Sequence, residues 1–183
     1  MASLFVLGGS RSGKSRHAVA VQPAAGRVAF VATAQPGDGD MALRIARHRA
    51  ERPPTWTTIE EPLELTDRLR ALPRTFDAVV VDCITLWVAN RMLTGESDKA
   101  TLVAADELAQ LVPACPWDIT IVSNEVGEGV HPPTEAGLRY RDLLGMVNQR
   151  LAAACTRVVL MVAGVPMTVK GGPDPHVPPV QTS

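Results

Sequence analysis

Short apolar runs alternate along the chain with longer stretches in which apolar residues recur at helical spacing. The apolar runs predict strands at residues 4–7, 27–32, 78–81, 119–123 and 157–162. They contain few alternating polar positions, which is typical of strands covered on both faces of a parallel sheet. A shorter run at residues 167–169 predicts a further strand at the edge of this sheet.

The stretches between these runs predict helices, because their apolar residues recur every three or four positions. The predicted bounds are 14–21, 38–51, 62–72, 84–93, 98–111 and 134–154. Glycine and proline residues separate many of these elements. Alternating strands and helices indicate an α/β fold, in which a mostly parallel sheet is flanked by helices.

The length and the apolar content predict how the chain divides into domains. With 183 residues, of which 46% are hydrophobic, the chain is most simply one domain with a sizeable core. We expect this domain to span residues 1–170. From Gly171 onward the sequence GGPDPHVPPVQTS has no periodic apolar face, which predicts a flexible tail over residues 171–183.

Composition argues against several classes of partner. A net charge of -1 and an aromatic content of 4% are unlike those of nucleic-acid-binding proteins, so we expect no nucleic-acid partner. No apolar run reaches the roughly 18 residues that suggest a membrane span, and the N-terminus does not resemble a signal peptide. The three cysteines, Cys83, Cys115 and Cys155, have neither metal-site nor disulfide-framework spacing. We therefore expect reduced thiols and a cytoplasmic location.

The sequence GGSRSGKS matches the phosphate-binding pattern G-x-x-x-x-G-K-S and lies between a predicted strand and a predicted helix. Backbone N–H groups of such a loop surround a phosphate, its lysine reaches the β- and γ-phosphates, and its serine hydroxyl binds Mg²⁺. The alternative is a glycine-rich turn that only starts a helix, which the full match in this context disfavours. The candidate nucleotide-binding residues are Gly8, Gly9, Ser10, Arg11, Ser12, Gly13, Lys14 and Ser15.

A second nucleotide element is expected at the end of another buried strand. The sequence AVVVDC places Asp82 there, where a carboxylate can hold Mg²⁺ directly or through water. Asp82 also fits the role of a helix cap. Beside the phosphate loop, the metal-binding interpretation is favoured.

The predicted helix 38–51 and the residues just after it are rich in arginine around one histidine. Arg44, His48 and Arg52 are spaced four residues apart and would form one stripe, while Arg47 and Arg49 flank His48. Neighbouring positive charges favour a neutral imidazole, which is a nucleophile, and guanidinium groups bind phosphate oxygens. On spacing alone, however, a solvated basic helix face is the favoured interpretation.

Further polar residues follow other predicted strands, where parallel sheets bind ligands. Thr33 lies in VATA, and Asn124 and Glu125 lie in VSNEVGEG. Thr33 and Asn124 fit a turn or cap as well as a ligand contact. Glu125 fits a metal ligand, a substrate contact or a solvated loop charge, and spacing does not rank these. His131 lies in a loop without an evident partner.

Taken together, these segments resemble the bifunctional adenosylcobinamide kinase / adenosylcobinamide-phosphate guanylyltransferase family. The specific signals are R-I-x-x-H-R, D-C-x-T-L-W and N-E-V-G, which follow the phosphate loop in the family's order, and the resemblance covers about residues 3 to 170. It implies a RecA-like P-loop fold and a homotrimer. It also implies two reactions with Mg²⁺ and GTP or ATP: phosphorylation of adenosylcobinamide, then GMP transfer from GTP to the resulting phosphate, with release of pyrophosphate.

The resemblance also implies roles for individual residues. His48 matches the histidine that carries GMP as a covalent intermediate. Glu60, the last residue of W-x-T-x-E, would accept hydrogen bonds from the guanine N1–H and N2–H₂ groups, and Ser15 and Asp82 would bind the metal. The other implied nucleotide contacts are Ala32, Thr33, Ala34, Arg49, Ala50, Glu51, Arg52 and Asp82. The alternatives are a single-activity P-loop kinase in which His48 is inert, and a nucleotide-binding switch subunit.

Overall fold

A computed structural model of the chain describes residues 1–35 and 52–172. The predicted helix 38–51, which includes His48, and the tail from residue 173 onward lie outside the described residues. The strands of the described part are β1 (Ser3–Gly8), β2 (Val28–Ala32), β3 (Thr57–Glu60), β4 (Ala78–Asp82), β5 (Asp118–Val122), β6 (Arg157–Val162) and β7 (Val165–Lys170). They form a seven-stranded sheet in the order β3-β2-β4-β5-β1-β6-β7.

The sheet is parallel except at one edge, where β7 turns back and pairs antiparallel with β6. One helix covers one face of the sheet, and the other described helices cover the opposite face. Their bounds are α1 (Lys14–Ala20), α2 (Leu65–Arg70), α3 (Ile84–Leu93), α4 (Asp98–Leu111) and α5 (Glu135–Ala154). The predicted α/β class, with a mostly parallel sheet flanked by helices, is confirmed and is consistent with a P-loop NTPase-like domain.

The core explains why the central strands lack polar alternation. Phe5, Val81 and Ile121 pack in one cluster with side chains of α2 to α5, including Leu144. On the opposite face, strand residues that include Val80 pack with Ala18 of α1. Since both faces are covered, apolar side chains are favoured at successive strand positions.

Several predicted bounds differ from the structure. Strand β3 was not predicted, because TTIE is short, lies at the sheet edge and has exposed or half-exposed side chains rather than a continuous apolar run. The edge strand expected at residues 167–169 is longer and spans Val165–Lys170. The helix expected at 62–72 spans only Leu65–Arg70, since the Glu61 carboxylate accepts from the amides of Leu63 and Glu64 before the helix begins.

Helices α4 and α5 begin at side-chain caps. The hydroxyl of Ser97 accepts from the amide of Ala100, and the hydroxyl of Thr134 accepts from the amide of Gly137. Each contact satisfies one of the free amides of a first helical turn. In the described part of the chain, no helix has both the length and the apolar character needed to cross a membrane.

Candidate active site

The candidate site lies at the carboxyl edge of the sheet, where several parallel strands end together. Ala32, Asp82 and Val122 are register partners in β2, β4 and β5. The phosphate loop leaves the carboxyl end of β1, which pairs with β5 on the other side. The structure therefore brings together the GGSRSGKS loop, the VATA segment, Asp82 and the segment after β5, as expected for ligand sites in such sheets.

The phosphate loop makes a tight turn into α1 that requires glycine at two positions. Gly13 is the N-cap of α1 and has a left-handed backbone with φ 96°. Gly8 has φ 150°, and a Cβ atom placed there would lie 2.6 Å from the Met161 carbonyl oxygen. Both glycines therefore permit a backbone path that other residues resist, which is the role expected for glycine in a phosphate-binding loop.

Neighbouring segments hold the loop at both ends. The amide of Glu125 donates to the Gly8 carbonyl at 3.0 Å, and the amide of Gly164, in the turn between β6 and β7, donates to the Ser12 carbonyl at 3.0 Å. The Ser12 hydroxyl is buried and has no hydrogen-bond partner among the described residues. The loop is thus fixed by the segment after β5 and by the β6–β7 turn.

Lys14 is the central charged group of the loop. Its side chain is buried, and its ammonium group donates to the Gly9 carbonyl at 2.5 Å. Burial lowers the pKa of Lys14, while the nearby Cys83 and Asp82 act in the opposite direction. Lys14 and Asp82 are therefore close enough to interact electrostatically. Ser15, in the first turn of α1, is half-buried.

Thr33 joins the ends of β2 and β4. Its buried hydroxyl donates to the Cys83 carbonyl at 2.6 Å and accepts from the Cys83 amide at 2.8 Å, while its own amide donates to the Asp82 carbonyl at 3.2 Å. The hydroxyl proton is therefore used within the protein, and Thr33 fixes the backbone that carries Asp82. Burial, with a further contribution from Asp82, raises the pKa of the Cys83 thiol to about 12.

The segment after β5 is held by buried amide and hydroxyl groups. Asn148 accepts from the Ser123 hydroxyl at 2.7 Å and donates to the Asn124 carbonyl at 3.0 Å. The backbone amide of Asn124 donates to the Thr85 hydroxyl at 2.7 Å. The side chain of Glu125 accepts from the Gly127 amide at 2.7 Å, so this carboxylate closes its own loop.

Arg52 precedes β3 in the sequence and Glu60 is its last residue, and the two side chains make different contacts. Glu60 ends β3, is exposed, and pairs in register with Ala32, so it lies at the same carboxyl edge as the phosphate loop. The guanidinium of Arg52 lies 3.5 Å from the centre of the Phe30 ring and donates to the Thr58 hydroxyl at 3.2 Å. Arg52 also lines a cavity of about 220 Å³ with Trp56 and neighbouring residues.

Other candidates from the sequence are only partly placed. His48, Arg49, Ala50 and Glu51 lie outside the described residues. His131, for which the sequence indicated no partner, lies 3.2 Å from the Arg141 guanidinium, measured from Nδ1 to Nη1. In the described part, no group of three or more His, Cys, Asp or Glu side chains is arranged to hold a metal ion.

Sequence analysis missed Thr85 and Asn148, which position the segment after β5. Both are buried polar residues on helices that cover the sheet. In LLGMVNQRL, Asn148 falls on the same helical stripe as Leu144 and Leu151, and this position of an amide among apolar residues is the signal that could have indicated it. Buried polar groups in helices usually have hydrogen-bond partners.

Comparisons with known proteins agree with this geometry. Residues 4–169 match a family model described as cobinamide kinase / cobinamide phosphate guanyltransferase. The chain is 44% identical over 170 residues to the bifunctional adenosylcobalamin biosynthesis protein CobP of Pseudomonas aeruginosa, covering 92% of this chain and 98% of that protein. It is 40% identical to the CobU protein of the same description from Salmonella typhimurium and 37% identical to that from Escherichia coli, each over 91% of this chain and 99% of the relative.

Proposed function

Because the chain belongs to the cobinamide kinase / cobinamide phosphate guanyltransferase family, we propose that it catalyses both of the reactions in that name. In the first, the hydroxyl group of adenosylcobinamide attacks the γ-phosphorus of ATP or GTP, and the nucleoside diphosphate leaves. In the second, GMP passes from GTP to adenosylcobinamide phosphate, and pyrophosphate leaves. Both are steps in the assembly of adenosylcobalamin.

The observation that carries this proposal is the convergence of the phosphate loop, the buried Lys14 and Asp82 at one edge of the sheet. Phosphoryl and nucleotidyl transfer depend mainly on positioning and on stabilising charge at the phosphates. Loop amides, the Lys14 ammonium and the N-terminus of α1 supply donors and positive charge for this purpose. The proposed phosphate contacts are Gly8, Gly9, Ser10, Arg11, Ser12, Gly13, Lys14 and Ser15.

The Ser15 hydroxyl and the Asp82 carboxylate fit a magnesium ion that is shared with the nucleotide. Mg²⁺ commonly uses one or two protein carboxylates and takes its remaining ligands from phosphate oxygens and water. A site of this kind requires no larger cluster of acidic side chains. When bound, the ion would neutralise charge on the phosphates.

We assign the covalent step of the second reaction to His48, on the basis of the R-I-x-x-H-R match. A ring nitrogen of neutral His48 attacks the α-phosphorus of GTP, and the bond to the β-phosphate oxygen breaks with release of pyrophosphate. A phosphate oxygen of adenosylcobinamide phosphate then attacks the same phosphorus, and the bond to His48 breaks. Nearby arginines would bind the phosphate oxygens during both transfers.

The remaining nucleotide contacts are proposed from the family resemblance, and the geometry refines one of them. Because the Thr33 hydroxyl proton is donated to Cys83 and the Thr33 amide to Asp82, Thr33 would not be a hydrogen-bond donor to the nucleotide. The other proposed contacts are Ala32, Ala34, Arg49, Ala50, Glu51, Arg52, Glu60 and Asp82.

The proposal extends to the organisation of the protein. We propose that residues 1–170 form the catalytic domain and that the enzyme is a cytoplasmic homotrimer without a nucleic-acid partner. The family match over residues 4–169 supports the domain bounds. The near-neutral net charge supports the absence of a nucleic-acid partner. Light scattering of the full chain measures the number of subunits.

Labelling with GTP tests the function directly. Incubation with GTP labelled at the α-phosphate is expected to give a covalent protein adduct that is stable in base and labile in acid, as a phosphorus–nitrogen bond is. GTP labelled at the γ-phosphate is the control and should leave no label on the protein. Adenosylcobinamide phosphate should discharge the adduct. A folded enzyme that forms adenosylcobinamide-GDP without this adduct would contradict the covalent mechanism.

Replacement of Glu60 by glutamine is expected to lower the preference for GTP over ATP in the nucleotidyl transfer. A hydrogen bond to a charged group contributes about 1.5–3 kcal/mol, so the ratio of kcat/KM values should fall about tenfold or more. The amide would present an N–H donor to the guanine donors in one orientation, and adenine lacks that pair of donors.

Glu64→Gln is the matched control, since it removes the same charge four residues away on an exposed side chain. Its ratio of kcat/KM for GTP and ATP should equal that of the wild type. Unchanged selectivity in Glu60→Gln would remove Glu60 from the guanine site.

A further inference from the structure

Helix α3 presents three buried polar side chains to the segment that follows β3. Trp87, Asn90 and Arg91 are 1%, 9% and 8% exposed, respectively. Their spacing of three and four residues places them on one face of the helix. Each has N–H donors, so this face can bind the carbonyl groups of an adjacent backbone segment.

The bonds from this face converge on two successive carbonyls. Trp87 Nε1 donates to the Leu63 carbonyl at 2.7 Å, and Arg91 Nη1 donates to the same oxygen at 3.0 Å. The Asn90 amide donates to the Pro62 carbonyl at 3.2 Å. The segment between β3 and α2 is therefore fastened to α3 through its backbone.

Asn90 also reaches the neighbouring strand. Its amide nitrogen donates to the Thr33 carbonyl at 2.8 Å, immediately after the end of β2. Pro62 comes two residues after Glu60, and Thr33 comes one residue after Ala32, which pairs in register with Glu60. The Asn90 amide group is thus bonded to the backbone just after β2 and just after β3. Both positions are close in sequence to the paired residues Ala32 and Glu60, of which Glu60 is the expected guanine contact.

The carboxyl end of β3 has few other supports. This strand has four residues, lies at the edge of the described sheet, and pairs with β2 alone. The amide of Glu61 donates to the Ala32 carbonyl at 2.9 Å, and the Glu61 carboxylate accepts from the amides of Leu63 and Glu64. The Pro62 carbonyl between them is bonded to Asn90. Removing the Asn90 amide would leave two carbonyls without this donor and allow the backbone after Glu60 to shift.

We propose that Asn90 is a positioning residue for nucleotide-base selection, because it fixes Glu60 relative to the residues after β2. The inference rests on the proposed contact between Glu60 and guanine. Asn90 is buried behind the strand ends and acts through the position of the Glu60 backbone. A displacement of about 1 Å in a binding group is enough to change rates by as much as about a hundredfold.

The test is the variant Asn90→Ala in the full-length enzyme, with kcat and KM measured for GMP transfer from GTP and AMP transfer from ATP. The ratio of kcat/KM values for GTP and ATP is expected to fall about tenfold, as for the loss of a binding interaction made by a positioned group. Most of the change should appear as a raised KM for GTP, with kcat retained.

Asn148→Ala is the matched control. Asn148 is also buried and bonds a strand-end carbonyl, but it holds the segment after β5. Its loss should lower the thermal midpoint comparably and leave the GTP/ATP ratio unchanged. If Asn148→Ala changes the ratio as much as Asn90→Ala does, the effect is general destabilisation and the inference is wrong.

A double-mutant cycle with Glu60→Gln separates positioning from an independent effect. If Asn90 acts through Glu60, the double variant should have the selectivity of Glu60→Gln alone, whereas additive losses would overturn the inference. Should Asn90→Ala fail to fold, Asn90→Leu removes the same two hydrogen bonds and conserves most of the side-chain volume. It is then expected to lower the ratio, and an unchanged ratio would decide against the inference.

The two proposals fail in different ways. A wild-type enzyme without a preference for GTP contradicts the proposed role of Glu60 and, with it, the role of Asn90. A wild-type preference that Glu60→Gln lowers and Asn90→Ala retains contradicts only the role of Asn90.

Discussion

Replacement of Lys14 by alanine is expected to abolish both phosphorylation and guanylyl transfer. The same triphosphate must be held whether the attack occurs at the γ- or the α-phosphorus, and Lys14 is the buried cation of the phosphate loop. Loss of one preorganised donor to developing charge typically costs about 10² to 10³ in kcat. Steady-state rates of both reactions, measured on folded protein with saturating nucleotide, check this result.

Lys99→Ala is the control for this variant. Lys99 is an exposed lysine in the first turn of α4, so its loss removes the same charge away from the phosphate loop. Both reactions should proceed at wild-type rates in that protein. Near-normal guanylyl transfer in Lys14→Ala would show that the phosphate loop does not hold GTP in that step.

Replacement of His48 by alanine is expected to eliminate the labelled GMP adduct and guanylyl transfer while retaining much of the phosphorylation. A covalent nucleophile is needed only in the transfer that passes through an enzyme-bound intermediate. Direct phosphorylation of a hydroxyl depends on the phosphate loop and Asp82, which this substitution leaves in place. Adduct formation and both product rates are measured on the same preparation.

His131→Ala tests whether the adduct is specific to one histidine. His131 is exposed and contacts Arg141, and its loss should leave the adduct intact. Equal loss of both activities in folded His48→Ala would mean that His48 positions the nucleotide or supports the structure. A persistent adduct in that variant would assign the nucleophile to another residue.

The fold class and the phosphate loop could be predicted because their signals are local. A strand that is buried on both faces is a continuous apolar run in the sequence. The helices predicted at Ile84–Leu93 and Asp98–Leu111 have the same bounds as α3 and α4. The G-x-x-x-x-G-K-S pattern is also recognised by its neighbours in the sequence, a predicted strand before it and a predicted helix after it. Sequence alone therefore placed Lys14 at the start of a helix and Asp82 at the end of a strand.

Strand β3 and the support of the site could not be predicted in this way. The residues of β3 become a strand by pairing with β2, and a short edge strand has no continuous apolar signature. The resemblance implied that Glu60 contacts the base. The pairing of β3 with β2 adds that Glu60 lies beside Ala32 at the carboxyl edge of the sheet.

The sequence by itself determined most of the helices and strands and the phosphate loop, since periodicity and glycine placement act over a few neighbouring residues. Tertiary structure decided which polar groups meet. Asn90 bonds a carbonyl 57 positions away, and Thr33 bonds Cys83 across 50 positions. Periodicity and glycine placement depend on residues that are close in the sequence, whereas these bonds depend on how strands and helices pack. The register that places Glu60 beside Ala32, and the bonds that hold the strand ends, therefore emerge only in the folded chain.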